Sequence, residues 1–399
     1  MTCAGKSPVV VVGNGLAGLS FAGTIRQGGY VGELTMVSDE AEHPYDRPPL
    51  SKAFLKDGDA QRIRLDASRL TDARFIRGVS AEMLDLNSRT LRLTDGQVLP
   101  WGTVVIATGA APRNLPLLGA VGKPVLTLRK LDDARRLRDL IQPGRHLLLI
   151  GAGVIGLELA ATARQIGCDV TVVESQGRVM NRGVSPTLSE YVKDRHLRAG
   201  VDLRLGKSVA DCVEGEVILD DGTRIAPDFI VVGIGVRPTD DLARSAGIQC
   251  DDGIHVDGHG RTSAEGVLAV GDVTKQLDPV TGQLLRIETW SNAQMQSAAA
   301  ARSWLNPDAP AYTDAPWYWS DQYELRIQAV GIPCGEREVL RGDMNDGKFT
   351  LLQLQGRTLV GAACMNSGKD FGSLRKLVGR SFQADDAEWA AAPDLRKLI

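Results

Sequence analysis

The chain has 399 residues, 43% of them hydrophobic, which is too much for one ordinary core and predicts two or three domains. A formal net charge of -3 and a pI near 6.0 argue against nucleic acid as a partner. No apolar run reaches the ~18 residues that a bilayer span requires, and MTCAGKSPVVVVGNG lacks the long apolar segment of a secretory leader, so a cytoplasmic protein is expected.

The first predicted unit is VVVVGNGLAGLSFAGTIRQGGYVGELTMVSDE, Val9 to Glu40. An apolar strand meets Gly13-x-Gly15-x-x-Gly18, with Ala17 inside the motif, and a helix follows until Gly28-Gly29 ends it. A second strand, Leu34 to Val37, runs into Asp39. In such a fingerprint the first glycine makes the turn, the second admits a pyrophosphate, and the third packs helix on strand. Next comes HPYDRPPLSK, His43 to Lys52, whose three prolines exclude a helix interior or a central strand. A hairpin is predicted around Asp95-Gly96, between Thr90 to Leu93 and Val98 to Leu99. Val104 to Gly109 reads as a buried strand. Arg129, Arg135, Arg136 and Arg138 fall on one predicted helix, where Asp132 and Asp133 dilute their charge, so a solvated face competes with an acidic-partner patch.

HLLLIGAGVIGLELAATARQIGCDVTVVES repeats the grammar: strand His146 to Ile150, Gly151-x-Gly153-x-x-Gly156, a helix ending near Gly167, and strand Asp169 to Val173 before Glu174. The acids Asp39 and Glu174 follow their third glycines by 21 and 18 residues, close to the ~20 of a dinucleotide site. Two such motifs in strand–helix context predict two dinucleotides, and hence electrons passing from one cofactor to another. Glu174 would accept hydrogen bonds from ribose hydroxyls and repel a 2′-phosphate, favouring NADH over NADPH. Arg178 complicates this, since it could meet a phosphate.

Further buried strands are predicted at Phe229 to Gly235 and at Val267 to Asp272. From Pro316 the texture changes to aromatics in PWYWSDQY, strands flanking Gln355-Gly356-Arg357, and a closing helix near Lys369, which together read as a small α+β domain. The six cysteines (Cys3, Cys168, Cys212, Cys250, Cys334, Cys364) form no C-x-x-C pair. Buried reduced thiols are expected, with no zinc or iron–sulfur site, no metal and no local dithiol relay.

The order GNGLAG, PYDRPPLSK, ATGAAP, GAGVIGLELA, GIGVRP, AVGD, IETWSNA and PWYWSDQ resembles the FAD-dependent ferredoxin reductases of bacterial oxygenase systems, above all the NADH–ferredoxin reductase component of biphenyl- and toluene-type aromatic-ring dioxygenases. Putidaredoxin and rubredoxin reductases and apoptosis-inducing flavoproteins are more distant likenesses. The resemblance implies an α/β, glutathione-reductase-like fold with two Rossmann-type dinucleotide-binding domains and a small α+β C-terminal domain. FAD would take residues 1–112 and 240–315, NADH residues 113–239, and an interface domain residues 316–399.

Carried over residue by residue, Gly13, Gly15, Ala17, Gly18, Asp39, Arg47, Ala81, Arg129, Asp272 and Trp290 would contact FAD. Asp39 would take the adenosine ribose, Ala81 the adenine, and Asp272 the ribityl chain or phosphates. Gly151, Gly153, Gly156, Glu158, Glu174 and Gly235 would serve NAD. Lys52 would lie against the isoalloxazine and stabilise its reduced anion, with Glu158 within its reach at the nicotinamide side. By its own position Glu158 is read on the first helical turn, where a solvated carboxylate is the plain alternative. Trp319 would stand over the flavin edge facing the partner, whereas Trp317 reads equally as a domain-seam residue. NADH gives two electrons at once and a cluster accepts one, so flavin is the converter. The expected activity is an FAD-dependent NADH:ferredoxin oxidoreductase serving a Rieske-type [2Fe–2S] ferredoxin, as a possible homodimer. A reductase for a P450-type ferredoxin or rubredoxin, or an NADH-sensing signalling flavoprotein, are the alternatives.

Overall fold

The structure is a computed structural model that describes residues 7–278, 281–333 and 335–395. The chain forms two compact units: one holds residues up to Asp46, Ala60–Ala111 and Arg237–Pro316, the other Arg47–Asp59, Pro112–Val236 and the chain from Trp317 onward. Among the described residues no helix is long and apolar enough to cross a membrane.

In the first unit, Val9–Val12 is buried along its whole length, as a strand covered on both faces must be. It pairs in parallel with Leu34–Ser38 on one side and Thr103–Ile106 on the other. Arg74–Arg77 and Val267–Ala269 extend this parallel sheet at its two ends. The chain therefore leaves its first strand where strand order reverses, so Gly13 and the following helix, Leu16–Gln27, stand at the sheet's switch point. Apolar faces pack both sides: Phe21, Ala22 and Ile25 of the helix under one, Leu91, Leu93 and Leu99 of a three-stranded antiparallel sheet under the other. That sheet contains the hairpin predicted around Asp95-Gly96, with Thr90–Leu93 paired to Val98–Pro100.

In the second unit the same construction recurs. His146–Ile150 is flanked in parallel by Asp169–Glu174 and Phe229–Val232, and Asp202–Leu205 and Val125–Leu126 complete the sheet. Gly151 and the helix Val154–Ile166 occupy the equivalent switch point. The unit also carries a five-stranded antiparallel sheet in the order Trp317–Gln322, Leu325–Gly331, Thr358–Met365, Lys348–Gln355, Arg337–Asp343. The turn at Gln355-Gly356-Arg357 needs its glycine, which sits at φ +54°. Helix Gly368–Leu377 covers this sheet through Phe371, Leu374 and Leu377.

The structure adds detail to the proline loop and corrects the sequence reading at Arg129. Within the proline loop, Pro48–Ser51 forms one 3₁₀ turn with proline in its first positions, where a missing N–H costs nothing. Arg129 lies outside the arginine-bearing helix Leu131–Leu140, because the carboxylate of Asp133 binds the N–H groups of Arg129 and Lys130 and starts the helix after them. On that helix Arg135, Arg136 and Arg138 are exposed and Arg135 pairs with Asp132 at 2.6 Å, so the face is solvated. Of the cysteines, Cys168, Cys212, Cys250 and Cys364 are free thiols, and burial raises the pKa of Cys168, Cys250 and Cys364, the last to about 11. Cys3 and Cys334 lie outside the described residues.

Candidate functional site

The two fingerprints separate two reasons for glycine. At Gly13 (φ +113°) a Cβ would stand 2.2 Å from the Ala107 carbonyl oxygen, and at Gly18 it would stand 2.0 Å from that of Gly13. At Gly151 (φ +107°) and Gly156 the distances are 2.4 Å, to the carbonyls of Gly233 and Gly151. These glycines are demanded by the protein's own backbone. Gly15 and Gly153 are different. Each has ordinary extended backbone, and a Cβ there would meet nothing within 4 Å.

Each of these open glycines is also the residue before a helix of 12 or 13 residues, and neither helix has a side-chain cap. The first N–H groups of both helices therefore have no capping side chain at the positive end of the dipole. The capped helices provide the contrast: Ser185 and Thr289 accept from first-turn N–H groups with their hydroxyls. A pyrophosphate fits both fingerprints, since the only groups its approach requires to be small are already so.

Around the first fingerprint, Ala17 touches the turn that carries Asp272, because a Cβ on Gly271 would come within 2.7 Å of the Ala17 methyl. The Gly271 N–H is held by buried Gln296 at 2.7 Å. Asp272 is thus brought to the fingerprint helix. Asp39 is exposed one residue past its strand, while the neighbouring Glu40 accepts from the Tyr45 hydroxyl. Trp290 opens the helix Trp290–Leu305 and donates its indole N–H to Asp46 at 2.7 Å. Ala81 begins the strand Ala81–Asp85 opposite Leu93.

In the second unit Glu174 accepts the N–H of Ala152 at 2.8 Å, so the acid at the strand end also pins the glycine turn. Arg178 spends its guanidinium on the carbonyls of Val184 and Asn181, at 2.8 and 2.7 Å. Gly235 sits at φ +99°, its carbonyl accepting from Arg113. Arg47 donates to the Arg129 carbonyl at 2.6 Å, so these two meet through the backbone of Arg129.

The centre of this unit is a buried carboxylate. Glu158 is 4% exposed and lies on the second turn of Val154–Ile166, which corrects both the first-turn placement and the reading as a solvated group. It receives Lys52 Nζ at 3.0 Å, Ser51 Oγ at 2.6 Å and Ser320 Oγ at 2.8 Å. The proline loop is fastened to the same helix by its backbone, since Thr162 donates to the Ser51 carbonyl at 2.8 Å. Lys52 stands where the 3₁₀ turn hands over to helix Ala53–Asp57, and its ammonium also lies 3.6 Å from Asp321 and 5.9 Å from the Trp319 ring. The stiff loop thus delivers one cation to a buried anion.

Strand Trp317–Gln322 has two faces, as the period of two requires. Tyr318, Ser320 and Gln322 turn to the helices: Tyr318 donates to Gly183 at 2.7 Å, Ser320 to Glu158, and Gln322 meets His196 at 2.8 Å. Trp317, Trp319 and Asp321 turn the other way. Trp317 packs edge-on to Phe371 and beneath Arg375, while Trp319 stands 6.0 Å from Trp317 and borders Lys52. Ser51, Ser320, Asp321 and His196 went unmarked in the sequence. The first adjoins Lys52 in PPLSK, Ser320 alternates with the tryptophans and Asp321 shares their face, so a strand reading of WYWSDQ would have found both.

The chain belongs to the pyridine nucleotide-disulphide oxidoreductase family, which it matches over residues 7–297. Residues 317–399 match the reductase C-terminal family. Among solved structures it is similar to the ferredoxin reductase for the CYP199A2 system from Rhodopseudomonas palustris, at 35% identity and TM-score 0.92, covering 98% of this chain and 99% of that one. It is also similar to putidaredoxin reductase in its covalent complex with putidaredoxin, at 32% identity and TM-score 0.91 over 97% and 96% of the two chains. A third match is Fdr9, at 33% identity and TM-score 0.88 over 99% and 100%. The protein is therefore an α/β flavin-dependent pyridine-nucleotide oxidoreductase resembling ferredoxin reductases, with FAD and NAD(P)H as its cofactors.

The two classes of glycine predict two phenotypes. Gly15→Ala should leave the melting temperature of the apoprotein unchanged yet weaken FAD binding by about tenfold or more, whereas Gly18→Ala should lower the melting temperature itself. Calorimetry of the apoproteins with FAD titration checks this, and equal melting losses in both variants would contradict it.

Proposed function

We propose that this chain oxidises NADH through bound FAD and passes single electrons to a Rieske-type [2Fe–2S] ferredoxin that feeds a bacterial aromatic-ring dioxygenase. The observation that carries the reading is the pair of open, uncapped fingerprints together with a buried Lys52–Glu158 centre and free thiols among the described cysteines. FAD, when bound, takes electrons as a pair and releases them singly. The fingerprint at Gly13, Gly15 and Gly18 would hold its pyrophosphate, with Ala17 and Asp272 beside it and Asp39, Arg47, Ala81, Arg129 and Trp290 as further contacts. Gly151, Gly153, Gly156 and Gly235 would serve NADH. Lys52 would place its charge at the flavin ring, and Glu158 would hold that ammonium in position at the nicotinamide side.

Trp319 would be the exit towards the ferredoxin. We also propose the division into an FAD domain (1–112 and 240–315), an NADH domain (113–239) and an interface domain (316–399). Glu174 favours NADH, and the bonds of Arg178 to two backbone carbonyls support this, since they hold its guanidinium to the chain at Asn181 and Val184. A second reading, a P450-type ferredoxin as acceptor, is favoured by the likeness to the reductase of the CYP199A2 system.

The acceptor is tested by mixing anaerobic, NADH-reduced protein with oxidised ferredoxins in a stopped-flow instrument. Fastest reduction of a Rieske-type ferredoxin supports the first reading, and preference for a P450-type one supports the second. Trp319→Ala should slow this step by about tenfold or more while flavin reduction by NADH is retained; equal losses in both half-reactions would refute the exit role.

Coenzyme choice is tested separately. The kcat/KM for NADH should exceed that for NADPH by about tenfold or more. Equality would defeat the reading of Glu174.

A further inference from the structure

His196 lies on helix Pro186–Arg198, is 0% exposed, and has no part in the function proposed above. Its Nε2 is 2.8 Å from Oε1 of Gln322, whose Nε2 is 3.0 Å from Ser320 Oγ and 3.7 Å from Met180 Sδ. Ser320 Oγ is in turn 2.8 Å from Glu158 Oε1. Gln322 and Ser320 are also 0% exposed, so within this row each polar atom must be satisfied by its neighbour.

The donors in the row are forced to run one way. The Glu158 carboxylate oxygens accept from Lys52, Ser51 and Ser320, so the Ser320 hydroxyl gives its single proton to Glu158. Ser320 then offers Gln322 nothing but lone pairs, and Gln322 must turn its NH₂ towards it. That leaves Gln322 Oε1 facing His196, which requires the imidazole hydrogen on Nε2. Burial pushes the His196 pKa down to about 4, so near neutrality Nδ1 is bare and accepts; the Tyr323 hydroxyl stands 3.5 Å from it.

A second observation points to the same place. Tyr323 holds φ +54°, a left-handed conformation uncommon for a bulky residue. The result sets its ring edge-on against His196 at 5.1 Å and beneath the Arg195 guanidinium at 4.0 Å, with Arg195 held by Glu324 at 2.6 and 2.8 Å. The outer side of the imidazole is closed by this arrangement, so the row runs inward from His196.

We propose that His196 and Gln322 are positioning residues, whose one-way chain of donors holds the Ser320 hydroxyl on Glu158 and so sets the orientation of the carboxylate that grips Lys52. The inference deepens the proposed function and rests on its reading of Glu158 only for the kinetic effect.

The test uses protein labelled with ¹⁵N at its five histidines, with long-range proton–nitrogen spectra at pH 7. His196 is assigned by the signal that vanishes in His196→Gln. The wild type should show His196 as the Nε2–H tautomer. Ser320→Ala and Glu158→Gln, three hydrogen bonds or fewer from the ring, should shift it towards Nδ1–H. Ring shifts identical to wild type in both variants would overturn the chain.

In rapid-mixing experiments, His196→Phe should slow flavin reduction by NADH about fivefold, the worth of one neutral hydrogen bond. His196→Gln, which keeps a donor for Gln322, should restore most of the rate. Loss of the tautomer coupling overturns this proposal. Coupling present with unaltered kinetics in His196→Phe but slow flavin reduction in Glu158→Gln overturns the positioning role, whereas unaltered kinetics in both variants overturns the assignment of Glu158.

Discussion

An ionised carboxylate in a protein interior is tolerated only if donors replace the water it has lost. Glu158 meets that requirement with three donors from two distant stretches of the chain, Ser51 and Lys52 from one and Ser320 from the other. Much of the second unit can be understood as the means of bringing them there. Pro48 and Pro49 stiffen the turn that carries Ser51 and Lys52, Thr162 ties that turn to the helix of Glu158, and the alternation of Trp317–Gln322 aims Ser320 inward while Trp319 points away. Breaking a buried pair by deleting one partner costs roughly 3–5 kcal/mol, so the loop, helix and strand are coupled through a single side chain.

The fingerprints obey a different constraint. Their outer glycines relieve clashes that the fold itself creates, at Ala107, Gly233 and within each turn, whereas Gly15 and Gly153 relieve nothing inside the protein. Their smallness has meaning only for something that approaches from outside, at the uncapped N-terminus of a helix. That distinction turns a common glycine pattern into a statement about a ligand, and it holds in both units independently.

Much of the fold could be read in advance because its signals are local. Four valines before a glycine make a buried strand, and Gly28 and Gly167 stop helices. The pairing of Thr90–Leu93 with Val98–Pro100 follows from Asp95-Gly96 between them. The likeness to ferredoxin reductases added the expectation that Lys52 and Glu158 meet, 106 residues apart in sequence. What the sequence concealed was the company they keep. Ser320 is 162 residues from Glu158 and looks like any strand serine, and nothing local marks His196 as the start of a chain of donors. Arg129 was misplaced on a helix because Asp133 starts that helix later than hydrophobic periodicity suggests.

The proposed electron entry depends on the charge of Glu158. The direct measurement is the rate of flavin reduction by NADH in Glu158→Gln, followed anaerobically by stopped flow in protein shown to carry a full complement of FAD. Loss of one charge-assisted hydrogen bond at Lys52 predicts a rate lower by about tenfold or more. A variant that is fully loaded, stably folded and as fast as wild type would contradict it.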